Sequence, residues 1–474
     1  ANWDSCYFLT EVDFIPTSGQ RSCLRDPQLV KTTPNNRAIA IRFAAFFMIN
    51  NEYKINPFPP DFSHQIDELY ENKDNQLHKS NKKAPKRGAE HPLILSTRNL
   101  LSKIQGKLPM HFQARCAVTQ KGFEQCTSEI IARWKAQNFP AKTLLSLTGG
   151  LGIDDWAWSN SGSNVLSLDP DESLNEVVRY NWARLGISAT RLESTAEMWF
   201  DANPDRRFDM VYVDPDRRPQ GTRKSFQAED YLPNVFDLIE VHGAVGKLWL
   251  IKLSPMTDPN WIFNHFEYHT EIMSIGYKNE AKEILVLVDP SKDRSSVPMI
   301  DCIEITSEMN SEEVTDSKEE AIGGIDNEKA SNQKITGLRF SDLNIESLSA
   351  HPSPLIWEPS PAIFASSLHT SISQRFKLLA ATPNPGFFHT LREIPAAFGR
   401  CLLVHHEFHG SLRKIAQNIK DLNITQLNIT PRSCGIPTSE ITKNLKTKDG
   451  GPLTLFITKK QNEFHAWLGE IQKF

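Results

Sequence analysis

The chain has no C-x-x-C pair, and its seven cysteines, scattered from Cys6 to Cys434, are odd in number. That pattern supports neither a disulfide framework nor a zinc ribbon, so the thiols read as reduced and no metal is expected. Long apolar runs are also missing. The most apolar early stretch, Ile39–Ile49, is interrupted by Arg42 and is too short to span a bilayer. The first residues lack the basic-then-apolar order of a signal peptide. A soluble cytoplasmic protein with no membrane partner is expected. Nor is there a large excess of one charge: 53 basic and 57 acidic side chains leave a formal charge of -4 and a pI near 6.4. A chain that coats nucleic acid along its whole surface is thereby excluded, and any anion site must be local. What the chain does have is length, because 474 residues suggest roughly two to four units with a sizeable core.

Residues 1–91 alternate turn-rich stretches with one apolar segment and end in the polar run NKDNQLHKSNKKAPKRGAEHP, a basic linker or loop. Their role is not legible. Residues 92–140 have helical spacing, with Phe123, Ile130, Ile131 and Trp134 recurring on one face, and form a helical lead-in. From 141 to 307 short β-like runs (TLLSLTG, NVLSLDPD, TRLES, FDMVYVDP, GKLWLIKLSP, KEILVLVD, MIDCIEIT) alternate with longer helical ones. Runs such as LWLI and ILVLV lack polar alternation, as parallel strands buried on both faces do, so an α/β, doubly wound Rossmann-like sheet is expected. Residues 308–334 carry an acidic excess and few apolar side chains, and are expected to be a disordered loop. Residues 335–474 read as a smaller, basic α+β unit.

The strongest single motif is LLSLTGGLGIDD. A strand runs into Gly149, Gly150 and Gly152 and then into a helix, so the backbone turns sharply and offers free N–H groups. A tight turn without a ligand has the same glycines. The next strand, NVLSLDPDE, ends in Asp169 about twenty residues later, where an acid accepts hydrogen bonds from ribose hydroxyls. Together they point to a nucleoside-containing cofactor. Thr148 and Asp154 flank the turn as further cofactor-binding candidates, and ESTAEMW places Thr195, Ala196 and Glu197 beside the base. A dinucleotide site prefers G-x-G-x-x-G, but Asp155 occupies the third glycine position, which favours S-adenosylmethionine, a cofactor with no pyrophosphate to cradle. The fourth strand ends in VDPDRRP, where Asp214 and Pro215 are placed to hold a target group.

Taken together, LLSLTGGLGIDD, LSLDPDE, VDPDRRP, IKLSPMTDP, KLPMHF and EQCTSEIIARWKAQ resemble a family of class I S-adenosylmethionine-dependent methyltransferases. Members carry a C-terminal THUMP-like domain, which LIWEPSPAIFASSL, FHTLREIPAAFGRCLLVHHEFHGSLRKI and KTKDGGPLTLFIT resemble. The resemblance covers most of residues 95–474. It implies methyl transfer to RNA, most naturally transfer or ribosomal RNA. By position, Gly149, Gly150 and Gly152 would line the methionine and ribose moieties, Asp169 would hold the ribose, and Asp214 and Pro215 would face the accepting atom. This chain departs from the pattern at Ser146, where relatives often have an acid in the first strand, and at Thr195, where an acid often contacts the adenine amine. Asp216 adds a third departure, an acid where relatives are often small.

Transfer from a sulfonium is an in-line displacement governed by positioning. An exocyclic amine such as guanine N2 suits Asp214 and the Pro215 carbonyl. A cytosine-C5 enzyme needs a cysteine nucleophile, which the glycine-turn, LSLDPDE and VDPDRRP motifs lack. Arg218, Arg223 and Lys224 are expected to contact RNA phosphates or bases, and Arg217 either joins them or pairs with Asp214, Asp216 and Glu229 to lock the loop. Lys252 is either buried beside the cofactor cleft or a cap at a strand end, the second being the preferred reading; Trp156 and Trp158 read as core, and His405, His406 and His409 as strand and turn residues. The reading is thus N-methylation of a base in structured RNA. A degenerate RNA-binding protein that lost turnover and a nucleotide-cofactor oxidoreductase are the alternatives.

Overall fold

Successive residues of the central strands point to opposite faces, and each face is covered. In β1 (Thr143–Ser146), Leu144 enters one core cluster and Leu145 the other. In β4 (Phe208–Val213), Met210 and Tyr212 face the first cluster, Val211 and Val213 the second. This double burial is why the strands read as unbroken apolar runs. The computed structural model describes residues 58–71, 91–217, 231–307, 335–370, 378–381 and 386–474. The expected acidic loop 308–334 and most of residues 1–91 lie outside the described residues.

Beside β1 and β4 lie β2 (Asn164–Asp169), β3 (Thr190–Glu193) and β7 (Gly246–Leu253), giving the parallel order β3-β2-β1-β4-β7. The sheet continues through β9 (Glu280–Asp293), antiparallel to both of its neighbours, into β8 (Tyr268–Tyr277) and β10 (Met299–Ser307). YHTEIMSIGY, which forms β8, is absent from the runs read as strands in the sequence. The outer edge of β10 is closed by an antiparallel strand, β11 (Ile335–Arg339). The sequence reading assigned these residues to the C-terminal unit. They join the first sheet because β10 offers them an open edge and Trp134 packs against the bare backbone of Gly337.

One face of the sheet is covered by helices α1 (Phe62–Glu71), α2 (Pro92–Lys107), α3 (Pro109–Gln113), α4 (Gln120–Gln125), α5 (Glu129–Asn138), α6 (Ile153–Asn160) and α7 (Glu172–Leu185). The other face is covered by α8 (Ala196–Ala202), α9 (Val235–His242) and α10 (Pro259–His265). Buried polar contacts fix the lead-in helices. The Glu129 carboxylate accepts from the Met110 and His111 N–H groups at 2.8 and 2.9 Å. Asn181 brackets Ala117 with two 2.8 Å bonds. From the N-terminal region, α1 is tied down by Tyr70, whose hydroxyl donates to the Cys116 carbonyl at 2.6 Å, and by the Asp67–Arg184 ion pair.

Beyond β4, β5 (Asp216–Arg217) pairs antiparallel with β6 (Tyr231–Leu232). The C-terminal sheet comprises β12 (Ala350–Pro359), β13 (Leu379–Ala380), β14 (Phe388–Arg392), β15 (Gly399–Gly410), β16 (Asn428–Arg432), β17 (Leu453–Lys460) and β18 (Glu463–Gln472). Its order is β13-β14-β12-β15-β18-β17-β16, antiparallel except for β16 beside β17. Helices α12 (Leu412–Asp421) and α13 (Thr438–Leu445) bury Ile415, Ile419, Ile441 and Leu445 in one cluster with strand residues such as Leu455 and Ile457. The short helix α11 (Pro361–Ala365) packs on β8, β9 and β10, where its capping residue Ser360 donates to Glu304. No described helix is long and apolar enough to cross a membrane.

Candidate active site at the strand ends

The strand order reverses between β1 and β4, and ligands of open α/β sheets sit outside the carboxyl ends at such a switch point. The glycine turn leaves β1 there and Asp214 leaves β4 beside it. Thr148 joins the two, its Oγ1 accepting the Asp214 N–H at 2.7 Å.

Gly149 is there because nothing else fits: an added Cβ would stand 1.6 Å from Arg191 Nη1 and 2.3 Å from Ser167 Oγ. Gly150 and Gly152 have φ of +50° and +75°, in the left-handed region. The space a Gly150 side chain would fill is open. The Gly150 N–H donates to Asp169 Oδ2 at 2.9 Å, so the turn and the acid at the tip of β2 come together as expected. Asp169 Oδ1 accepts the Asp171 N–H at 3.0 Å, and its side chain remains 13% exposed.

Arg191 was missed in the sequence. Its side chain is wholly buried beneath the turn, donating to Asn175 Oδ1 (2.6 Å), Ser167 Oγ (2.7 Å) and the Gly150 carbonyl (2.8 Å) and pairing with Asp155 and Asp169. Burial works against its charge, and Asp155 and Asp169 oppose that effect. The clue available was an arginine inside a strand expected to be covered on both faces, which requires a buried partner. Burial raises Asp155, opposed by Arg191 and by the nearby hydroxyls of Ser167 and Ser146.

Asp154 corrects an expectation. Its carboxylate turns into the protein, pairing with Lys135 at 2.8 Å and accepting from Thr127 Oγ1 (2.8 Å) and Tyr212 Oη (3.0 Å). Lys135, fully buried, also pairs with Glu283 at 3.1 Å. Burial pushes Asp154 up, but Lys135 and Lys252 outweigh it and hold the carboxyl low. In Glu283 burial wins over the same two lysines and the carboxyl is raised. The Thr195 hydroxyl caps α8, accepting from the Met198 N–H at 3.3 Å, and Ala196 is buried in the core beneath that helix.

Lys252, read from the sequence as a strand-end residue, pairs its ammonium with Asp214 Oδ2. Burial acts against that ammonium, yet Asp214, Glu283 and Asp154 together raise its pKa. Pro215 is buried and Asp216 exposed. Of the expected substrate contacts, Arg217 is described by its backbone in β5, while Arg218, Arg223 and Lys224 lie outside the described residues. A cysteine lies nearer than the motifs suggested: Cys126 is close enough to Asp154 and Lys252 to feel their charges, but burial pushes its thiol up to about 11. A thiol held protonated by burial is a weak nucleophile. Among the described residues no group of three His, Cys, Asp or Glu side chains is arranged to hold a metal ion.

Residues 399–470, from β15 to β18, match the family described as THUMP domain-like. The fold as a whole is shared with a protein from Porphyromonas gingivalis W83 provisionally named a methyltransferase. The two are 20% identical with a TM-score of 0.62, over 88% of this chain and 99% of that one. More distant are an S-adenosylmethionine-dependent methyltransferase from Agrobacterium tumefaciens (12% identity, TM-score 0.28, 35% of this chain and 63% of that one) and a T. thermophilus 16S rRNA N2-guanine methyltransferase solved with S-adenosylmethionine and guanosine (12%, 0.25, 43% and 44%). No curated protein matches the sequence.

Proposed function

We propose that this chain is an S-adenosylmethionine-dependent methyltransferase that methylates a base amine in structured RNA, transfer or ribosomal. One observation carries the reading: at a single switch point, the Gly149–Gly150 turn is bonded to Asp169 while Asp214 leaves the adjacent strand, joined to the turn by Thr148. The residues fit the cofactor, because open space lies over Gly150 and the Asp169 carboxylate keeps an exposed edge for ribose hydroxyls. When bound, the cofactor supplies an electrophilic methyl group on a sulfonium. The chain's own work is positioning. Asp169 holds the ribose, the backbone of Gly149 and Gly150 lines the adjoining moieties, and Asp214 accepts an N–H of the acceptor amine so that its lone pair faces the methyl carbon.

RNA is supported by the C-terminal unit, where Arg413, Lys414, Lys420, Lys443, Lys446 and Lys448 are all exposed on α12, α13 and the turn after it. Such a face binds phosphates and fixes register without reading sequence. The test is mass spectrometry of modified nucleosides from RNA of cells with and without the protein, repeated with Asp214→Ala. One methylated nucleoside is expected to disappear in both cases. If the mark survives Asp214→Ala, the assignment of Asp214 is wrong; if titration calorimetry shows no S-adenosylmethionine binding, the catalytic reading is wrong. Binding without transfer selects the degenerate RNA-binding alternative.

A further inference from the structure

Val213 and Ile251 are register partners in the parallel pair β4·β7, so Asp214, the first residue past the end of β4, lies beside Lys252, which is still within β7. Lys252 is no surface lysine. Its side chain is 13% exposed, and its ammonium lies on Asp214 Oδ2. Glu283 and Asp154 act on the same ammonium from within the protein, and both are themselves paired with Lys135. The main chain of Asp214 is held separately by Thr148. The carboxylate of Asp214 is thus gripped at one oxygen, and it is 34% exposed.

We propose that Lys252 is a positioning residue, occupying Oδ2 of Asp214 and leaving Oδ1 as the single carboxylate acceptor for the amine that takes the methyl group. The proposal rests on the methyl-transfer reading and adds to it. A carboxylate with both oxygens free rotates to follow whichever N–H approaches. One with an oxygen on a nearly buried ammonium keeps its plane, and the amine lone pair then has one direction. In the transfer, that lone pair forms the N–CH3 bond as the S–CH3 bond breaks, and the S–CH3 electron pair stays on sulfur as a neutral thioether. The nitrogen then sheds one proton. The proton leaves to water reaching the exposed side of Asp214. The network Lys135–Asp154–Glu283 serves to keep Lys252 in place, since a buried ammonium without carboxylates around it is unfavourable.

The test compares wild type with Lys252→Met and Lys252→Arg, measuring methyl transfer to RNA extracted from cells lacking the protein, with cofactor affinity measured separately by calorimetry. Misplacement of a reacting group costs about 100-fold. The Met variant is expected to lose about that factor in kcat while its cofactor affinity stays within a few fold. The Arg variant is expected to recover part of the loss, because it keeps the cation but not the point-like geometry. In the protein without cofactor, the 15N-detected ammonium protons of Lys252 are expected to be visible and to vanish in Asp214→Asn. An unchanged kcat in Lys252→Met, equal losses in the Met and Arg variants accompanied by weakened cofactor binding, or an ammonium resonance indifferent to Asp214→Asn each overturn the proposal. If Lys252→Met does not fold, Lys252→Gln is read in its place. Failure of the wild type to transfer any methyl group overturns instead the methyl-transfer reading on which the proposal stands.

Discussion

Arg191→Met removes the guanidinium that bonds the glycine turn from beneath, and its cost can be worked out from the contacts. The guanidinium is wholly buried and satisfies Asn175, Ser167 and the Gly150 carbonyl while pairing with Asp155 and Asp169. Asp169 keeps the Gly150 and Asp171 N–H groups and some water when the cation goes. Asp155 is 1% exposed and left with neighbouring hydroxyls alone. Removing one partner of a buried ion pair costs about 3–5 kcal/mol, because the other charge stays behind. Asp155 escapes part of that cost by binding a proton. Its folded pKa is already raised by burial, and losing Arg191 raises it further. A carboxyl with a raised folded pKa favours the fold while protonated and loses that contribution as pH rises through the folded value. The destabilisation of Arg191→Met is therefore expected to be smaller at pH 5 than at pH 7. Adding Asp155→Asn removes the stranded charge and is expected to recover about 2 kcal/mol at pH 7, a coupling that a double-mutant cycle isolates. Chemical denaturation of the four proteins at both pH values is the assay. A single-variant cost below about 1 kcal/mol, or strict additivity with Asp155→Asn, refutes the idea that this pair supports the turn.

Two glycines one residue apart are expected to fail differently. Gly149→Ala drives a Cβ into Arg191 and Ser167 and should cost about as much as losing the arginine, roughly 3 kcal/mol. Gly150→Ala meets no atom but must hold φ near +50°, costing about 1 kcal/mol. Its methyl enters the open space that the proposed cofactor would fill, so calorimetry should show weakened S-adenosylmethionine binding out of proportion to the loss in stability. At the contact between the two sheets, burial pushes Glu304 up to about 7, opposed by Ser360. Its folded pKa exceeds the ordinary 4.5, so its contribution is complete below about 4.5 and lost as pH rises through about 7. At about 1.4 kcal/mol per unit, the difference is about 3 to 4 kcal/mol. Thermal melts should show Glu304→Gln flattening the fall in Tm between pH 5 and pH 8.

The parts of the site that sequence made legible are those where one local rule suffices. Strands covered on both faces leave unbroken apolar runs, glycines mark the turn after β1, and an acid at the tip of β2 falls at a fixed distance from them. The buried charges follow no local rule. Lys135 stands in RWKAQ on an amphipathic helix, where a lysine ordinarily belongs to the solvated face, and its partners Asp154 and Glu283 come from α6 and β9. The edge position of β11 was hidden for the same reason, since its partner β10 lies across a long polar run. Ser146 is the instructive case. From sequence it is a missing acid, a departure from the family's pattern. In the fold Ser146 and Ser167, on adjacent strands, are wholly buried beside the Asp155 carboxyl that α6 delivers. A larger acid at position 146 would compete for that space and add a negative charge beside Asp155. The acid has in effect moved from the strand to the helix, and Arg191 opposes its charge there. An acid matched by a buried arginine supports the loop without offering its charge to a ligand. On the methyltransferase reading proposed above, the cofactor's hydrogen bonds then come from Asp169 and the backbone of the turn, which makes Gly150 and Asp169 the positions at which affinity should be most easily lost.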